Sequence, residues 1–177
     1  MKKILITGGA GFIGYHLGKK FINEGYKVDL VDNFRRGKID FKLKELIKNK
    51  NIKLIKNNLL NLNLKKWTRN YDKIFHLAAI IGVKHVKKNP YEVLTHNVKL
   101  LDNVIQIAKI QKKISKFIFF STSEVYAGTL KSYGIKIPTP ENTKLVIDDL
   151  NIKRTTYMLS KIYGEMMCNI ADSLQTI

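Results

Sequence analysis

The sequence predicts an α/β fold whose parallel sheet is doubly wound, with helices on both faces. Three observations lead to this prediction: short apolar runs alternate with longer helical stretches, a glycine-rich turn follows the first run, and 45% of the residues are apolar. A chain of 177 residues with this composition is long enough to bury one core, so a single domain is expected.

Each predicted element has a local signal. The first run is closed by a Thr-Gly-Gly turn, Gly25 ends the first helix, and a long helix starts after Pro90. The stretch Tyr126–Thr156, with Pro138 and Pro140, is predicted as a long loop. The predicted strands are Ile4–Ile6, Val28–Val31, Ile52–Lys56, Ile74–Leu77 and Lys116–Ser121, with a further strand starting at Leu174. The predicted helices are Phe12–Asn23, Phe41–Lys48, Tyr91–Ile110 and Tyr157–Ala171.

The formal net charge of +18 comes from lysine rather than arginine, with 28 Lys and 4 Arg. Arginine is preferred for base readout and for bidentate phosphate contacts, and no basic stripe is interleaved with aromatic residues. The charge therefore indicates a lysine-rich solvated surface, with no nucleic acid as partner. Most of the excess lies in residues 1–88, where it would help to attract a phosphorylated ligand.

Other composition features narrow the class of protein. No apolar run is long enough for a membrane span, so no membrane partner is expected. Cys168 is the single cysteine, which excludes an internal disulfide and a cysteine-rich metal site. These observations predict a cytoplasmic protein with no metal.

The glycine-rich turn matches a dinucleotide fingerprint in the right context. Gly8, Gly11 and Gly14 satisfy GxxGxxG directly after the first strand and at the start of the first helix. Residues without a Cβ let the backbone approach a pyrophosphate at the positive helix N-terminus. Asp32 ends the second strand, where a carboxylate binds the adenosine ribose and repels a 2′-phosphate. The sequence therefore favours NAD on a Rossmann-type sheet, although the adjacent Arg35–Arg36 keep NADP open.

Tyr157 and Lys161 are spaced i, i+4 and so share one face of the last helix. A free tyrosine must lower its pKa by roughly 3 units to act as a base near neutral pH, and a nearby ammonium favours that change. Thr122, Ser123 and Glu124 follow the fifth strand, at the sheet edge where ligands bind in open parallel sheets. Hydroxyls there can bind a substrate oxygen, and Glu124 could act as a general acid or base.

Together these segments resemble the extended short-chain dehydrogenase/reductase family, in particular its nucleotide-sugar epimerases and dehydratases. The ordered motifs that carry the resemblance are Thr7–Gly14, Val31–Phe34, Phe75–Ala79, Asn89–Asn97, Ser121–Tyr126, Pro140–Glu141 and Tyr157–Lys161. The resemblance implies NAD as cofactor, a nucleotide-diphosphate sugar as substrate and a sheet order of 3-2-1-4-5-6-7. It also implies transient oxidation at sugar C4, in which Thr122 binds the 4-hydroxyl and Tyr157 removes its proton.

The resemblance assigns two sets of residues, one to catalysis and one to the cofactor. The implied catalytic residues are Thr122, Ser123, Glu124, Tyr157 and Lys161. The implied cofactor-binding residues are Gly8, Gly11, Phe12, Ile13, Gly14, Asp32, Asn33, Phe34, Asn58, Leu59, Leu77, Ala78, Ala79, Asn97, Tyr157 and Lys161.

The sequence is compatible with more than one product of the sugar reaction. The order Thr-Ser-Glu resembles GDP-mannose 4,6-dehydratases, in which the glutamate is the elimination base. It also resembles UDP-glucuronate decarboxylases, as do Asp32–Phe34 and Arg154. Simple 4-epimerases usually carry a small residue where Glu124 stands. A non-catalytic NAD-binding fragment is a further alternative, although the tyrosine, lysine and threonine are all present.

Against this family, residues 1–177 read as an incomplete NAD-binding Rossmann domain that is truncated near the sixth strand, without the substrate-binding domain. We therefore expect the chain alone to bind NAD weakly and not to turn over. Tyr91–Ile110 and Tyr157–Ala171 correspond to the helices of the family's dimer interface, so a homodimer is expected. The apolar strand Phe117–Phe120 would lie near an open edge, which promotes association.

Overall fold

The computed structural model describes residues 2–67 and 70–173, and the chain divides into two compact units. The first unit contains the chain up to Ala79, Lys99–Phe120 and the residues from Ala171. The second contains Ile80–Val98 and Ser121–Ile170. The expected sixth strand at Leu174–Ile177 lies outside the described residues.

The first unit is built on a parallel sheet. Its five strands are β1 (Lys3–Thr7), β2 (Lys27–Asp32), β3 (Ile52–Lys56), β4 (Tyr71–His76) and β5 (Lys116–Phe119). Their order is β3-β2-β1-β4-β5, and every pairing is parallel. The predicted α/β class and the first five positions of the expected strand order are therefore confirmed. β4 begins at Tyr71, three residues before the predicted start at Ile74. The prediction missed this first part because the polar Asp72 and Lys73 interrupt the apolar pattern.

Helices precede or follow these strands, as the alternating sequence pattern predicts. They are α1 (Phe12–Asn23), α2 (Phe41–Leu46), α3 (Val83–Lys88), α4 (Pro90–Lys109), α5 (Ala127–Tyr133) and α6 (Thr155–Ser173). The bounds of α1 agree with the prediction. α4 begins at Pro90 itself, because proline is tolerated at the first helical position. Among the described residues, no helix is both long and apolar enough to span a bilayer.

Apolar side chains cover both faces of the sheet, as parallel sheets require. On one face Leu5 and Ile74 belong to a buried cluster with Val104 of α4. On the other face Leu30 of β2 belongs to a second cluster with Phe21 of α1. Burial on both faces explains why the strands read as continuous apolar runs rather than as alternating ones.

The second unit corrects two expectations from the sequence. The prediction of a continuous loop over Tyr126–Thr156 is wrong at its start, where a 3-10 turn over Ser123–Tyr126 leads directly into α5. Gly128 of α5 packs so closely that a Cβ there would lie 1.9 Å from the Val146 carbonyl oxygen. α3 was missed because it is a single six-residue segment, rich in basic side chains, in which only Val86 is buried.

A charged cluster lies inside the first unit, where β1 and β4 begin. The Tyr71 hydroxyl donates to Asp29 Oδ2 at 2.6 Å, and Lys3 Nζ lies 2.8 Å from the same oxygen. Tyr71 and Asp29 are 1% and 4% exposed. Burial, followed by the adjacent Asp29 carboxylate, raises the pKa of Tyr71. Each polar group of the cluster thus has a partner, as burial of charge requires.

Candidate active site

The glycine turn of the first unit forms a cradle at the end of β1. Gly8 has a φ of +70°, and a Cβ there would lie 3.0 Å from the Ala78 backbone nitrogen. Gly14 is tighter, because its Cβ would lie 2.4 Å from the Gly8 carbonyl oxygen. Gly11 closes the turn by donating its N–H to that carbonyl at 3.1 Å. Side chains at Gly8 and Gly14 would collide with backbone atoms, so the turn could not close this tightly.

The start of α1 carries the charge that such a cradle needs. The N-cap is Gly11, which has no side chain to cap the helix. No acidic residue stands in the first turn of α1. The partial positive charge of the helix N-terminus is therefore not cancelled by a neighbouring carboxylate. Phe12 and Ile13 are 81% and 49% exposed at this helix start. The residues present fit the pyrophosphate of a dinucleotide.

Asp32 ends β2, and its carboxylate is oriented by two backbone donors. Oδ2 accepts from the N–H of Ala10 at 3.1 Å, and Oδ1 accepts from the N–H of Phe34 at 2.8 Å. Phe34 adopts a left-handed φ of +59°, and Asn33 Oδ1 accepts from the N–H of Arg35 in the same turn at 2.9 Å. Each carboxylate oxygen of Asp32 retains a second lone pair, which can accept from a ribose hydroxyl.

Thr7 joins the ends of β1 and β4. Its Oγ1 accepts from the N–H groups of Leu77 and Ala78 at 3.2 and 3.1 Å, and it lies 2.8 Å from His76 Nδ1. Because both backbone contacts use the oxygen as acceptor, the hydroxyl proton is directed to Nδ1, which assigns the Nε2–H tautomer to His76. Thr7 and His76 thus hold Leu77 and Ala78 in position, while Ala79 ends this segment partly buried.

Asn58 and Leu59 lie in the first unit, after β3. Asn58 Oδ1 accepts from the N–H of Leu60 at 3.2 Å. The Leu59 side chain is 4% exposed in the core, and its carbonyl accepts from Asn103 Nδ2 at 2.6 Å. A cofactor contact at Leu59 would therefore have to come from its backbone N–H. Asn103 was not singled out from the sequence, because an Asn on a helix has no local signal for this role.

The remaining predicted residues lie in the second unit. Thr122 caps the Ser123–Tyr126 turn, accepting from the N–H of Glu124 at 3.3 Å, and its hydroxyl is close enough to Tyr157 to lower the pKa of that phenol. Lys161 Nζ lies 5.9 Å from the centroid of the Tyr157 ring. Within this unit the structure therefore brings together Thr122, Tyr157 and Lys161. Ser123 is exposed at the start of the turn.

Burial is the main influence on the pKa values of Tyr157 and Lys161. Burial raises the pKa of Tyr157, the Glu124 charge raises it further, and the Thr122 hydrogen bond lowers it. Lys161 is 5% exposed, and burial lowers its pKa to about 8, while the Glu165 carboxylate acts in the opposite direction. Without ligands, Tyr157 is therefore a protonated phenol near neutral pH, and lowering its pKa requires further positive charge.

Glu124 is held by an arginine. Arg154 Nη2 lies 2.8 Å from Glu124 Oε1, and Arg154 Nε lies 3.2 Å from Oε2. The side chains of Arg154 and Glu124 are 53% and 31% exposed, so this is a bidentate pair at the surface. Both carboxylate oxygens of Glu124 are engaged.

Asn97 of α4 braces the second unit. Its Oδ1 accepts from the N–H of Ile80 at 2.7 Å, and its Nδ2 donates to the Ile80 carbonyl at 3.1 Å and to Ser160 Oγ at 3.2 Å. Ser160 in turn donates to the Tyr157 carbonyl at 2.7 Å. Ser160, 3% exposed, was missed because its role appears only when α4 and α6 are both in place.

A parallel sheet with a glycine-rich turn between its first strand and first helix is typical of dinucleotide-binding enzymes. A profile of the NAD dependent epimerase/dehydratase family matches residues 4–175. The chain belongs to this NAD-dependent family of enzymes.

Curated relatives agree with this membership. The chain is 37% identical over 169 residues to a UDP-N-acetyl-alpha-D-glucosaminuronate decarboxylase of Bacillus cytotoxicus, a match that covers 94% of the chain and 49% of that protein. It is 36% identical over 129 residues to UDP-glucuronic acid decarboxylase 1 of Arabidopsis thaliana, a match that covers 73% of the chain and 28% of that protein. The chain spans about half the length of the first of these relatives, and less of the second.

Solved structures of similar proteins have the same fold. An epimerase of Methanothermobacter thermautotrophicus matches with a TM-score of 0.82 and 27% identity, over 99% of this chain and 49% of that one. A UDP-glucuronic acid 4-epimerase of Bacillus cereus, solved with UDP-glucuronic acid and NAD, matches with a TM-score of 0.72 and 32% identity. That match covers 95% of this chain and 51% of that one.

Proposed function

We propose that the protein carrying this chain is an NAD-dependent nucleotide-sugar enzyme of the epimerase or dehydratase type, which acts through transient oxidation at sugar C4. The observation that carries the proposal is the array of Thr122, Tyr157 and Lys161 in one unit. A hydroxyl donor, a phenol and a buried ammonium in this order are the groups needed to remove a proton from an alcohol.

In this mechanism Thr122 binds the sugar 4-hydroxyl, and Tyr157 takes its proton. Bound NAD⁺ supplies the hydride acceptor for C4–H and later the hydride donor to the 4-keto sugar. The ammonium of Lys161 and the positive nicotinamide ring would together favour the Tyr157 phenolate, and Lys161 would also bind the cofactor ribose. Ser123 and Glu124 are the candidates for the step that distinguishes the products.

The cofactor part of the proposal rests on the first unit. Gly8, Gly11 and Gly14 with the start of α1 would hold the pyrophosphate, and Asp32 would accept from the adenosine ribose. The remaining cofactor contacts would come from Asn33, Phe34, Asn58, Leu59, Leu77, Ala78, Ala79 and Asn97. Residues 1–177 would then be the NAD-binding Rossmann domain of the protein.

A second candidate function is decarboxylation of a nucleotide-linked uronic acid. The bidentate pair of Arg154 and Glu124 favours it, because a guanidinium that binds one carboxylate can bind another. The 37% identical relative named as a uronate decarboxylase also supports it. Oxidation at C4 makes the uronate a β-keto acid, which loses CO₂ once C4 is a ketone.

The proposal includes a homodimer and a cytoplasmic enzyme. α6 exposes Tyr163, Met166 and Ile170 at 50%, 59% and 47%, and their spacing puts them on one helix face. An apolar stripe of this kind is suited to a second copy of the chain. Sedimentation of the wild type and of M166D tests this: M166D should be the lighter species.

The test of function uses the protein with NAD⁺ and UDP-linked glucose, N-acetylglucosamine and glucuronate. Mass spectrometry and NMR distinguish epimerisation (unchanged mass), dehydration (loss of water) and decarboxylation (loss of CO₂). A Y157F variant should reduce turnover about 100-fold or more while it still binds NAD. Turnover that is unchanged in Y157F would contradict the proposal.

A further inference from the structure

The bidentate pair of Glu124 and Arg154 lies beside the candidate base. Glu124 stands in the turn that Thr122 caps, and the N–H of Tyr157 donates to the Arg154 carbonyl at 3.2 Å. Arg154 immediately precedes α6, the helix that carries Tyr157. One end of the pair is therefore tied to the turn and the other end to the start of the helix.

The negative charge of Glu124 opposes the chemistry expected of Tyr157. A phenolate beside a carboxylate is disfavoured, and Glu124 indeed acts to raise the pKa of Tyr157. A lone carboxylate at this place would therefore be a liability for a tyrosine base. Arg154 supplies the compensating charge at hydrogen-bonding distance of both carboxylate oxygens.

We propose that Arg154 is a positioning residue for the Tyr157 base: its guanidinium fixes the Glu124 carboxylate and offsets part of the negative charge that opposes the phenolate. This inference rests on the proposed function, because it takes Tyr157 as the base. It gives Arg154 a task that is separate from substrate binding, and it explains why a glutamate is tolerated so close to the tyrosine.

Three charged side chains of this unit act around Tyr157. Glu124 faces it from the Ser123–Tyr126 turn, Arg154 stands at the start of α6, and Lys161 lies one helical turn further along α6. Lys161 has its own partner charge in Glu165, which lies another turn along the helix. The titration of Tyr157 therefore has to be measured with Lys161 and Glu165 unchanged.

The experiment measures the Tyr157 titration directly, without turnover. The intact chain is labelled with ¹³Cζ-tyrosine, the Tyr157 resonance is assigned by its loss in Y157F, and its chemical shift is followed against pH. R154Q leaves Glu124 uncompensated, and it should move the Tyr157 titration to higher pH by on the order of half a unit. E124Q should move it to lower pH by a similar amount.

The double variant R154Q/E124Q decides between charge compensation and a structural role. It removes both charges, so its Tyr157 titration should return close to that of the wild type. R154K keeps the charge but not the bidentate geometry, and it should lie between wild type and R154Q. K153Q removes a positive charge from the neighbouring exposed residue and is the matched control, for which no shift is expected.

Two results would overturn the inference. One is an unchanged Tyr157 titration in R154Q, and the other is a double variant that stays as far from wild type as R154Q. Either result leaves the proposed function standing if Y157F still abolishes turnover on a nucleotide sugar. Conversely, a protein that oxidises no sugar would end the proposed function while the titration shifts remain measurable.

Discussion

The two units hold their candidate functional groups by different means. In the first unit the cradle is made of backbone: the absence of side chains at Gly8 and Gly14 lets the turn pack tightly, and backbone amides orient Asp32. In the second unit side chains hold side chains: Asn97 donates to Ser160, and Arg154 holds Glu124. The backbone cradle should therefore be most sensitive to added atoms, whereas the side-chain site should be most sensitive to loss of the charges that pair within it.

The largest effect on NAD binding should come from adding a side chain at Gly14 in the glycine-rich turn. G14A places a Cβ 2.4 Å from the Gly8 carbonyl oxygen, a backbone atom that cannot rotate away, so measurable NAD binding should be lost. G25A is the control, because Gly25 also needs its positive φ but has no atom within 4 Å of a Cβ. G25A should cost about 1 kcal/mol of stability and leave NAD titration calorimetry unchanged. Equal NAD affinity in G14A and wild type would contradict a backbone cradle.

The second effect is a pH dependence from Lys161. Its pKa of about 8 lies below its ordinary value near 10.5, so the fold disfavours the charged form. The penalty of about 3 kcal/mol is fully present below pH 8 and disappears as the pH rises to the ordinary value. Urea unfolding should therefore show that K161M is more stable than wild type at pH 7, with an advantage that shrinks above pH 8. K153M should show no such trend, and a K161M difference that is flat across this pH range would refute the prediction.

A smaller effect, on stability, should distinguish Asn97 from Asn103, which both lie on α4. N97A leaves both the N–H and the carbonyl of Ile80 without their side-chain partner and should cost about 2 kcal/mol. N103A removes donors from the Leu59 and Leu60 carbonyls and should cost about 1 kcal/mol. Because Asn97 also contacts Ser160, N97A alone should shift the Tyr157 resonance. A shift of similar size in N103A would show that the effect does not come from the contact between Asn97 and Ser160.

The smallest effect concerns Glu165. Its carboxylate is bonded by the Ser121 hydroxyl and keeps the pKa of Lys161 from falling further. E165Q should therefore lower the pKa of Lys161, which a methyl-lysine NMR titration would detect, by a few tenths of a unit. S121A leaves the charge in place and should change it less. A larger shift in S121A than in E165Q would show that the hydroxyl, and not the charge, controls Lys161.

The parts of the molecule that depend on sequence-local signals could be predicted. Short apolar runs that alternate with helical stretches predicted the sheet. The glycine spacing predicted the turn at Gly8–Gly14, because backbone sterics act between near neighbours. The helix α5 was missed because the prolines at 138 and 140 indicated a loop over the whole stretch. Its packing partner Val146 also lies far along the chain, so no local pattern indicates the contact. Likewise the pairing of Arg154 with Glu124 joins residues 30 positions apart, which no local pattern indicates.

The raised pKa of Tyr157 was also beyond the reach of the sequence. The i, i+4 spacing of Tyr157 and Lys161 predicts that they share a helix face, but burial of both groups acts against the charge that each would need. Spacing reports geometry, and desolvation depends on everything that packs around the helix.

The buried cluster of Lys3, Asp29 and Tyr71 has a consequence for how the strands align. A shift of β1 by one residue would turn Lys3 to the opposite face and leave Asp29 as an uncompensated charge inside the sheet. A shift of β4 by one residue would take the Tyr71 hydroxyl away from the same carboxylate. Continuous apolar strands cannot distinguish one alignment from the next, because each offset buries similar side chains. The three polar groups make the wrong alignments costly, and so they hold the ends of β1 and β4 where the candidate cofactor loop needs them.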